Sequence, residues 1–122
     1  TIEEREEYEP HLAAGHAVTL RNRGKSGPGL FPAAEHRVAD RNGDLAALDH
    51  GTWDAVIDCC AYVPRHVRTL AAKLSGRVGR VLLVSTISVY PDFATAGLDE
   101  TAPVATLADP ATETVTGETR GG

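Results

Sequence analysis

The sequence lacks features that define several large classes of protein. It has no methionine and two cysteines among its 122 residues. No apolar run approaches the roughly 20 residues that cross a bilayer, and no signal-peptide pattern is present. The sequence therefore predicts a protein without a membrane partner. Because the chain starts without methionine, we also expect that its first residue is not a natural start.

Cysteine and histidine do not occur in the spacings that form disulfide or zinc frameworks. Cys59 and Cys60 are adjacent, so a bridge between them would be strained, and we expect buried thiols in a reducing compartment. The five histidines show no zinc-ligand spacing, so no metal site is predicted. These features favour a cytoplasmic location.

The charge balance is acidic, with a formal net charge of -5. Nucleic acid repels such a chain, so we expect no nucleic-acid partner. A local basic cluster at Arg21, Arg23 and Lys25 fits one phosphate group better than a polyanion. The apolar fraction of 42% is ordinary for a globular protein, and the length allows one domain at most.

Patterns typical of strands and helices alternate along the chain. Residues 1–15 form an acidic segment that ends as a helical turn closed by Gly15. Strands are predicted at 16–20, 35–39, 53–58 and 81–85, a short helix at 45–48 capped by Asp44, and a longer helix from Pro64 to Gly76. Apolar residues at i, i+3, i+4 and i+7 predict one buried face on the longer helix, formed by Val67, Leu70, Ala71 and Leu74.

The apolar run at 81–84 is the centre of this pattern, because it fits a strand buried on both faces. Hydroxyl residues follow at once, beginning with Ser85 and Thr86. Ligands of open α/β sheets bind just beyond the carboxyl ends of strands, so these hydroxyls are candidates for a site, although Ser and Thr also simply end strands. The alternation predicts an α/β fold with a partial, Rossmann-like doubly wound parallel sheet over residues 16–93, followed by an irregular tail at 94–122.

Residues 84–90, Val-Ser-Thr-Ile-Ser-Val-Tyr, resemble the Ser-[Ser/Thr]-x-x-Val-Tyr segment of the extended short-chain dehydrogenases/reductases, the NAD(P)-dependent epimerase/dehydratase family. The resemblance spans residues 12–119. It implies hydride transfer between a nicotinamide and a sugar-nucleotide-like or other carbonyl or alcohol substrate. Thr86 stands where the family's Ser or Thr hydrogen-bonds the reacting oxygen, so the resemblance implies that Thr86 belongs to the catalytic site.

The resemblance also implies a dinucleotide cofactor, NADP or NAD. Asn22 replaces the acidic residue that holds the adenosine ribose in dinucleotide-binding folds, and the adjacent Arg23 favours NADP, since a guanidinium grips a 2′-phosphate. Asp40 and Arg41 resemble the family's pair whose Asp contacts the adenine amino group. Two alternatives stay open: Arg23 as a solvated loop residue, and Asp40 as a turn former.

Three further cofactor contacts are implied at the ends of the later strands, at Cys60, Ala61 and Ser85. In the family, small residues after the strand that corresponds to 53–58 let the backbone approach the cofactor. Tight packing would select small residues as well, so the two explanations do not exclude each other.

Two motifs of the family are missing. No Gly-x-x-Gly-x-x-Gly turn, whose amides bind the pyrophosphate, precedes the strand at 16–20, and the family's central first strand is missing with it. The catalytic Tyr-x-x-x-Lys, which in relatives follows a Gly-Glu-Thr like that at 117–119, is also missing. We therefore expect two strand pairs that face a gap lined by unpaired backbone groups.

Three hypotheses for function follow. The first is a truncated or frame-altered, catalytically incompetent piece of an NADP-dependent epimerase, dehydratase or reductase. The second is a non-catalytic nucleotide-binding or regulatory module. The third is a strand-pairing partner that forms a homodimer through the sheet gap. Whether the chain is itself an enzyme stays open, because the neutral Thr86 cannot supply acid–base catalysis at neutral pH.

Overall fold

The computed structural model describes residues 2–25 and 29–116 and divides the chain into two compact units, Thr1–Gly51 and Thr52–Gly122. In the described part of each unit there is one pair of parallel strands. The mixture of helices with parallel strands confirms an α/β fold. The described strands form two separate pairs, as expected, and their membership in one partial, Rossmann-like doubly wound sheet stays a prediction. None of the helices in these two stretches is long and apolar enough to cross a membrane.

The first unit begins with helix α1, Ile2–Ala13. Its end is a left-handed glycine cap, since Gly15 has φ of 84°. The Gly15 amide donates to the Leu12 carbonyl at 3.0 Å, and the His16 amide donates to the His11 carbonyl at 3.2 Å. These two bonds form a Schellman motif, which satisfies carbonyls at the helix end. The predicted closure at Gly15 is confirmed.

Strands β1, Thr19–Asn22, and β2, Glu35–Val38, form the parallel pair of this unit. The predicted strand at 16–20 was therefore wrong at both ends. The ladder extends beyond the predicted end because the Ala39 amide donates to the Asn22 carbonyl at 2.9 Å. The position of the partner strand thus decides which residues of β1 are paired.

The interior of the first unit lies beside a single-turn 3₁₀ helix, Ala46–Leu48. Oδ1 of Asp44 accepts a hydrogen bond from the Ala46 amide at 2.7 Å, although the residue at the formal cap position is Leu45. The predicted start of this helix is wrong by one residue. Five apolar side chains that are between 5% and 9% exposed form the core: Leu20, Ala34, Ala39, Leu45 and Leu48.

Arg37 fastens β2 to the segment around the 3₁₀ helix. Its Nε donates to Oε1 of Glu35 at 2.9 Å, and its Nη1 donates to the backbone carbonyls of Ala47, at 3.1 Å, and His50. The hydrogen bond from Arg37 and a second from the Thr19 hydroxyl lower the pKa of Glu35 below its usual 4.5. One guanidinium therefore connects a strand, a helix and a loop.

The second unit contains strand β3, Trp53–Asp58, helix α2, Pro64–Leu74, and strand β4, Val78–Leu83. The predicted bounds of β3 are confirmed. β4 begins and ends earlier than the predicted 81–85, because its pairing with β3 already includes Val78 and Arg80. A Cβ at Gly79 would lie 2.8 Å from the Asp54 carbonyl oxygen, so the two backbones approach closely there.

Helix α2 begins at Pro64 as predicted, and Gly76, with φ of 72°, follows its end. Its buried side chains are His66, Leu70 and Leu74. Val67 is 43% exposed and Ala71 is exposed as well, so half of the predicted buried face was wrong. The buried stripe is rotated by one residue toward His66, whose Nδ1 accepts a hydrogen bond from the Tyr62 amide at 3.3 Å.

The predicted burial of the apolar run at 81–84 is also wrong. Val81, Leu82 and Leu83, which alternate between the two faces of β4, and Val84, which follows the strand, are between 44% and 56% exposed. Successive strand residues point to opposite faces, so neither face of this strand is covered. The physical reason is that burial of both faces requires layers above and below the sheet, whereas in the described residues the element packed closely against β4 is its partner strand β3.

The remaining described residues follow a second 3₁₀ turn, Ile87–Val89, and run to residue 116 through turns without a further helix or strand. The Gly-Glu-Thr segment at 117–119, to which the family resemblance extends, lies outside the described residues.

Candidate functional site

The candidate cofactor residues of the first unit leave one edge of its sheet. Asn22 is paired with Val38 in parallel register, so the chain after β1 and the chain after β2 emerge from the same carboxyl edge. Arg23 follows the first of these ends, and Asp40 follows the second. The carboxyl edge is where α/β sheets bind ligands. The fold therefore brings together residues that stand far apart in the sequence.

The turn after β1 is built around Gly24. Its amide donates to Oδ1 of Asn22 at 2.9 Å, and its φ of 68° is left-handed. A Cβ at Gly24 would lie 3.3 Å from a methyl group of Val38, so the site favours glycine by space as well as by backbone angle. Arg23, between them in sequence, is exposed. The turn thus presents the guanidinium to solvent next to a fixed Asn side chain.

Asp40 organises the loop after β2. Its Oδ1 accepts from the Asn42 amide at 2.9 Å, and its backbone carbonyl accepts from the Gly43 amide at 3.1 Å. These bonds show that Asp40 is a turn former. Its side chain is nevertheless exposed, and the neighbouring Arg41 is half-buried. A carboxylate has two oxygens, so the turn bond leaves capacity for a ligand amino group.

A second set of candidate residues leaves the carboxyl edge of the β3–β4 sheet. Asp58 is paired with Leu83, and the Val84 amide donates to the Asp58 carbonyl at 2.9 Å. The chain then continues to Cys60 and Ala61 on one side and to Ser85 and Thr86 on the other. The Asp58 side chain is 5% exposed and accepts from the Cys60 amide at 3.2 Å. It fixes the turn that presents the Cys60 backbone.

The prediction of buried thiols was wrong. Cys59 is half-buried and Cys60 is exposed, and neither of the two forms a disulfide bond. The reason is their position, since both lie in the turn where the chain leaves β3 and not within the strand. Ala61, next in the chain, is half-buried.

Thr86 begins the second 3₁₀ turn. Its Oγ1 accepts from the Ser88 amide at 3.2 Å and donates to the Ser88 hydroxyl at 3.2 Å, as the cap of the turn. The Thr86 side chain is exposed, as is Ser85. The hydroxyl is held by its neighbours, so a ligand oxygen would compete with Ser88 for its proton.

Glu113 is a residue of this unit for which the sequence predicted no role. Its carboxylate accepts hydrogen bonds from the Arg65 amide, at 3.0 and 3.3 Å, and from Nη2 of Arg68, at 2.6 Å. No local signal predicts this, because 48 residues separate Glu113 from Arg65. Asp99 lies in the same irregular stretch of the chain. Its pKa is lowered by hydrogen bonds from the Thr101 side chain, mainly, and from the Thr101 backbone amide.

The described part of the chain contains no group of three or more His, Cys, Asp or Glu residues arranged to hold a metal ion. Comparison of the chain with models of protein families, with curated proteins and with solved structures finds no match. Function is therefore inferred from the residues and their geometry.

Proposed function

We propose that the carboxyl edge of the first sheet binds the adenosine end of a dinucleotide, with NADP preferred to NAD. The observation that supports this is the pairing of Asn22 with Val38, which makes Arg23 and Asp40 follow strand ends at one edge. Arg23 supplies a permanent positive charge and a planar fork of donors for a 2′-phosphate. The exposed carboxylate of Asp40 supplies an acceptor for the adenine amino group.

The reaction that such a cofactor serves in the proposed family is hydride transfer on a sugar-nucleotide-like or other carbonyl or alcohol substrate. We assign Thr86 the role of positioning the reacting oxygen, and Cys60, Ala61 and Ser85 the role of contacting the cofactor. The chain contains no Tyr-x-x-x-Lys, and the Thr hydroxyl titrates far above neutral pH. We therefore propose binding without turnover by this chain alone. Unbridged thiols such as Cys60 persist in the cytoplasm, where we place it.

Titration of the purified chain with NADPH and with NADH, followed by amide NMR, tests the nucleotide site. We expect saturable shifts at the amides of Gly24 and Asp40, with tighter binding of NADPH. Arg23→Ala removes charge-assisted hydrogen bonds that are worth about 1.5–3 kcal/mol, so NADPH affinity should fall about 10- to 100-fold. NADH affinity should change little, because NADH has no 2′-phosphate.

Arg80→Ala is the matched control, since it removes an exposed guanidinium that lies in the second unit and outside the basic cluster of Arg21, Arg23 and Lys25. A general electrostatic effect would weaken binding equally in both variants. Equal affinity of the native chain for NADPH and NADH would contradict the preference, and the absence of any saturable shift would contradict the site itself.

A second candidate function is self-association by strand pairing, which the exposure of β4 favours. Ile57, Ile87 and the four apolar residues of the run at 81–84 are between 40% and 74% exposed. The occupant we propose is a second copy of this chain, because each copy offers the same open strand edge and an isologous pairing satisfies both.

Sedimentation velocity over a hundredfold concentration range tests this candidate. A homodimer predicts a sedimentation coefficient that rises with concentration, and Leu82→Lys should abolish the rise by burying a charge at the interface. Glu100→Lys, an exposed substitution in the turns after β4, should leave it unchanged. A single monomeric species throughout the range would eliminate this function.

A further inference from the structure

We propose that residues 99–113 form a strap that closes over the carboxyl edge of the β3–β4 sheet, and that Glu113 is the latch that holds the strap. This inference does not depend on nucleotide binding. It rests on contacts that the segment makes with the two chain stretches that leave this edge, one after β4 and one after β3.

The first two contacts attach the strap to the stretch after β4. The Tyr90 hydroxyl donates to the Asp99 carbonyl at 3.0 Å. The Ala105 amide donates to the Val89 carbonyl at 2.7 Å. Val89 ends the 3₁₀ turn that Thr86 begins, so the strap is bonded directly to the turn that carries the candidate hydroxyl.

The third contact attaches the strap to the first turn of α2, which follows the loop after β3. The Glu113 carboxylate receives the Arg65 amide at both oxygens and Nη2 of Arg68 at 2.6 Å. The Glu113 side chain is 31% exposed, whereas that of Arg68 is 65% exposed. The carboxylate is thus partly withdrawn from solvent, and this partial burial makes its hydrogen bonds stronger than they would be at an open surface.

Helix α2 has a specific need for this carboxylate. Its N-cap residue, Val63, makes no side-chain capping bond, and its first residue, Pro64, has no amide hydrogen. The Arg65 amide is therefore the first donor of the helix that needs a partner. Glu113 supplies both the acceptor and a negative charge at the positive end of the helix dipole. A residue from the strap thus does the work of a missing local cap.

The consequence is a coupling between the strap and both edges of the candidate site. The strap is hydrogen-bonded to the stretch after β4 at Ala105 and to helix α2 at Glu113. Release of Glu113 therefore frees residues 106–113 from α2. The loops that carry Cys60 and Thr86 then lose a common connection. The latch therefore sets how often this edge of the sheet opens.

Amide hydrogen exchange, measured by NMR on the native chain and on Glu113→Gln, tests the latch. Replacing the carboxylate with a neutral amide weakens the charge-assisted bonds from its two donors, the Arg65 amide and the Arg68 guanidinium, so exchange should become about tenfold faster at Arg65. The decisive site is the Ala105 amide, which Glu113 does not touch. It should exchange about fivefold faster if the strap opens as a unit. Glu100→Gln removes the same charge from an exposed position of the strap and should change neither rate.

Faster exchange at Arg65 with an unchanged rate at Ala105 would mean that Glu113 is a local cap only, and would overturn the strap. Arg68→Ala is the second variant, because it removes the ion pair while the Arg65 amide keeps its acceptor. If Glu113→Gln fails to fold, Arg68→Ala decides: an accelerated Ala105 amide supports the latch, and a native rate there overturns it. The amides of β3 and β4 should keep native rates in every folded variant.

Discussion

The close approach of β4 to β3 makes Gly79→Ala the sharpest test of the second unit. An added Cβ would lie 2.8 Å from the carbonyl oxygen of Asp54, whereas ordinary contacts of a Cβ begin at 3.4 Å. The backbones must therefore separate by about 0.6 Å to accept one methyl group. Because the obstacle is backbone in a hydrogen-bonded ladder, no side chain can rotate away to relieve the clash.

The cost follows from this geometry. Forced overpacking against a rigid neighbour typically costs about 1–3 kcal/mol. A small unit loses roughly 1–3 kcal/mol of unfolding free energy for each molar of urea. We therefore expect the urea midpoint of the β3–β4 unit to fall by about 1 M in Gly79→Ala.

Tryptophan fluorescence provides the assay. The sequence has one tryptophan, and Trp53 lies in β3, opposite Val78 of β4, so its emission reports this unit. Gly43→Ala is the matched control, since its new Cβ would meet Asp40 at an ordinary 3.6 Å. The urea midpoint of Gly43→Ala should match that of the native chain or be slightly higher, because alanine reduces the conformational entropy of the unfolded chain. Equal midpoints for Gly79→Ala and Gly43→Ala would refute the close approach of the two strands.

Two further outcomes are expected. Leu74→Ala should lower the unfolding free energy, measured by urea titration, by about 2–4 kcal/mol, because the Leu74 side chain is 2% exposed. Val67→Ala should lower it by less than about 0.5 kcal/mol, because Val67 is 43% exposed. Similar losses in the two variants would contradict the observed orientation of α2. The Glu35 carboxyl should titrate below pH 4.5 by NMR, and closer to it in Arg37→Gln, because the native pKa is lowered mainly by Arg37. The ionised Glu35 carboxylate accordingly contributes to stability above pH 4.5, and this contribution is lost as the pH falls through the lowered pKa. An unchanged Glu35 titration in Arg37→Gln would contradict Arg37 as the cause.

Features that depend on neighbours in the chain were predicted from the sequence. The glycine cap at Gly15, the strand Trp53–Asp58 and the helix start at Pro64 all appear where the patterns indicated. Each follows from local backbone chemistry, such as the tolerance of glycine for a left-handed angle and the fixed φ of proline. The ends of β1 and β4, which precede Arg23 and Thr86, were predicted to within about two residues for the same reason.

Features that depend on what packs against an element were not predicted. An apolar run such as residues 81–84 indicates a strand, but burial requires a covering layer, and β4 has one paired neighbour in the described residues. The helical spacing of α2 likewise identified an apolar stripe without showing that His66 would be turned inward in place of Val67.

The sequence by itself determined the elements of this protein: an α/β alternation, the ends of its helices, and polar residues placed after its strands. The tertiary structure alone decided which residues share a sheet edge and which are joined by a long-range hydrogen bond. Parallel pairing brings Arg23 and Asp40 to one edge, and a hydrogen bond across 48 residues places Glu113 on α2. The physical reason is that turns and caps are governed by the torsion angles of a few adjacent residues, whereas pairing and burial depend on partners that local sequence does not specify.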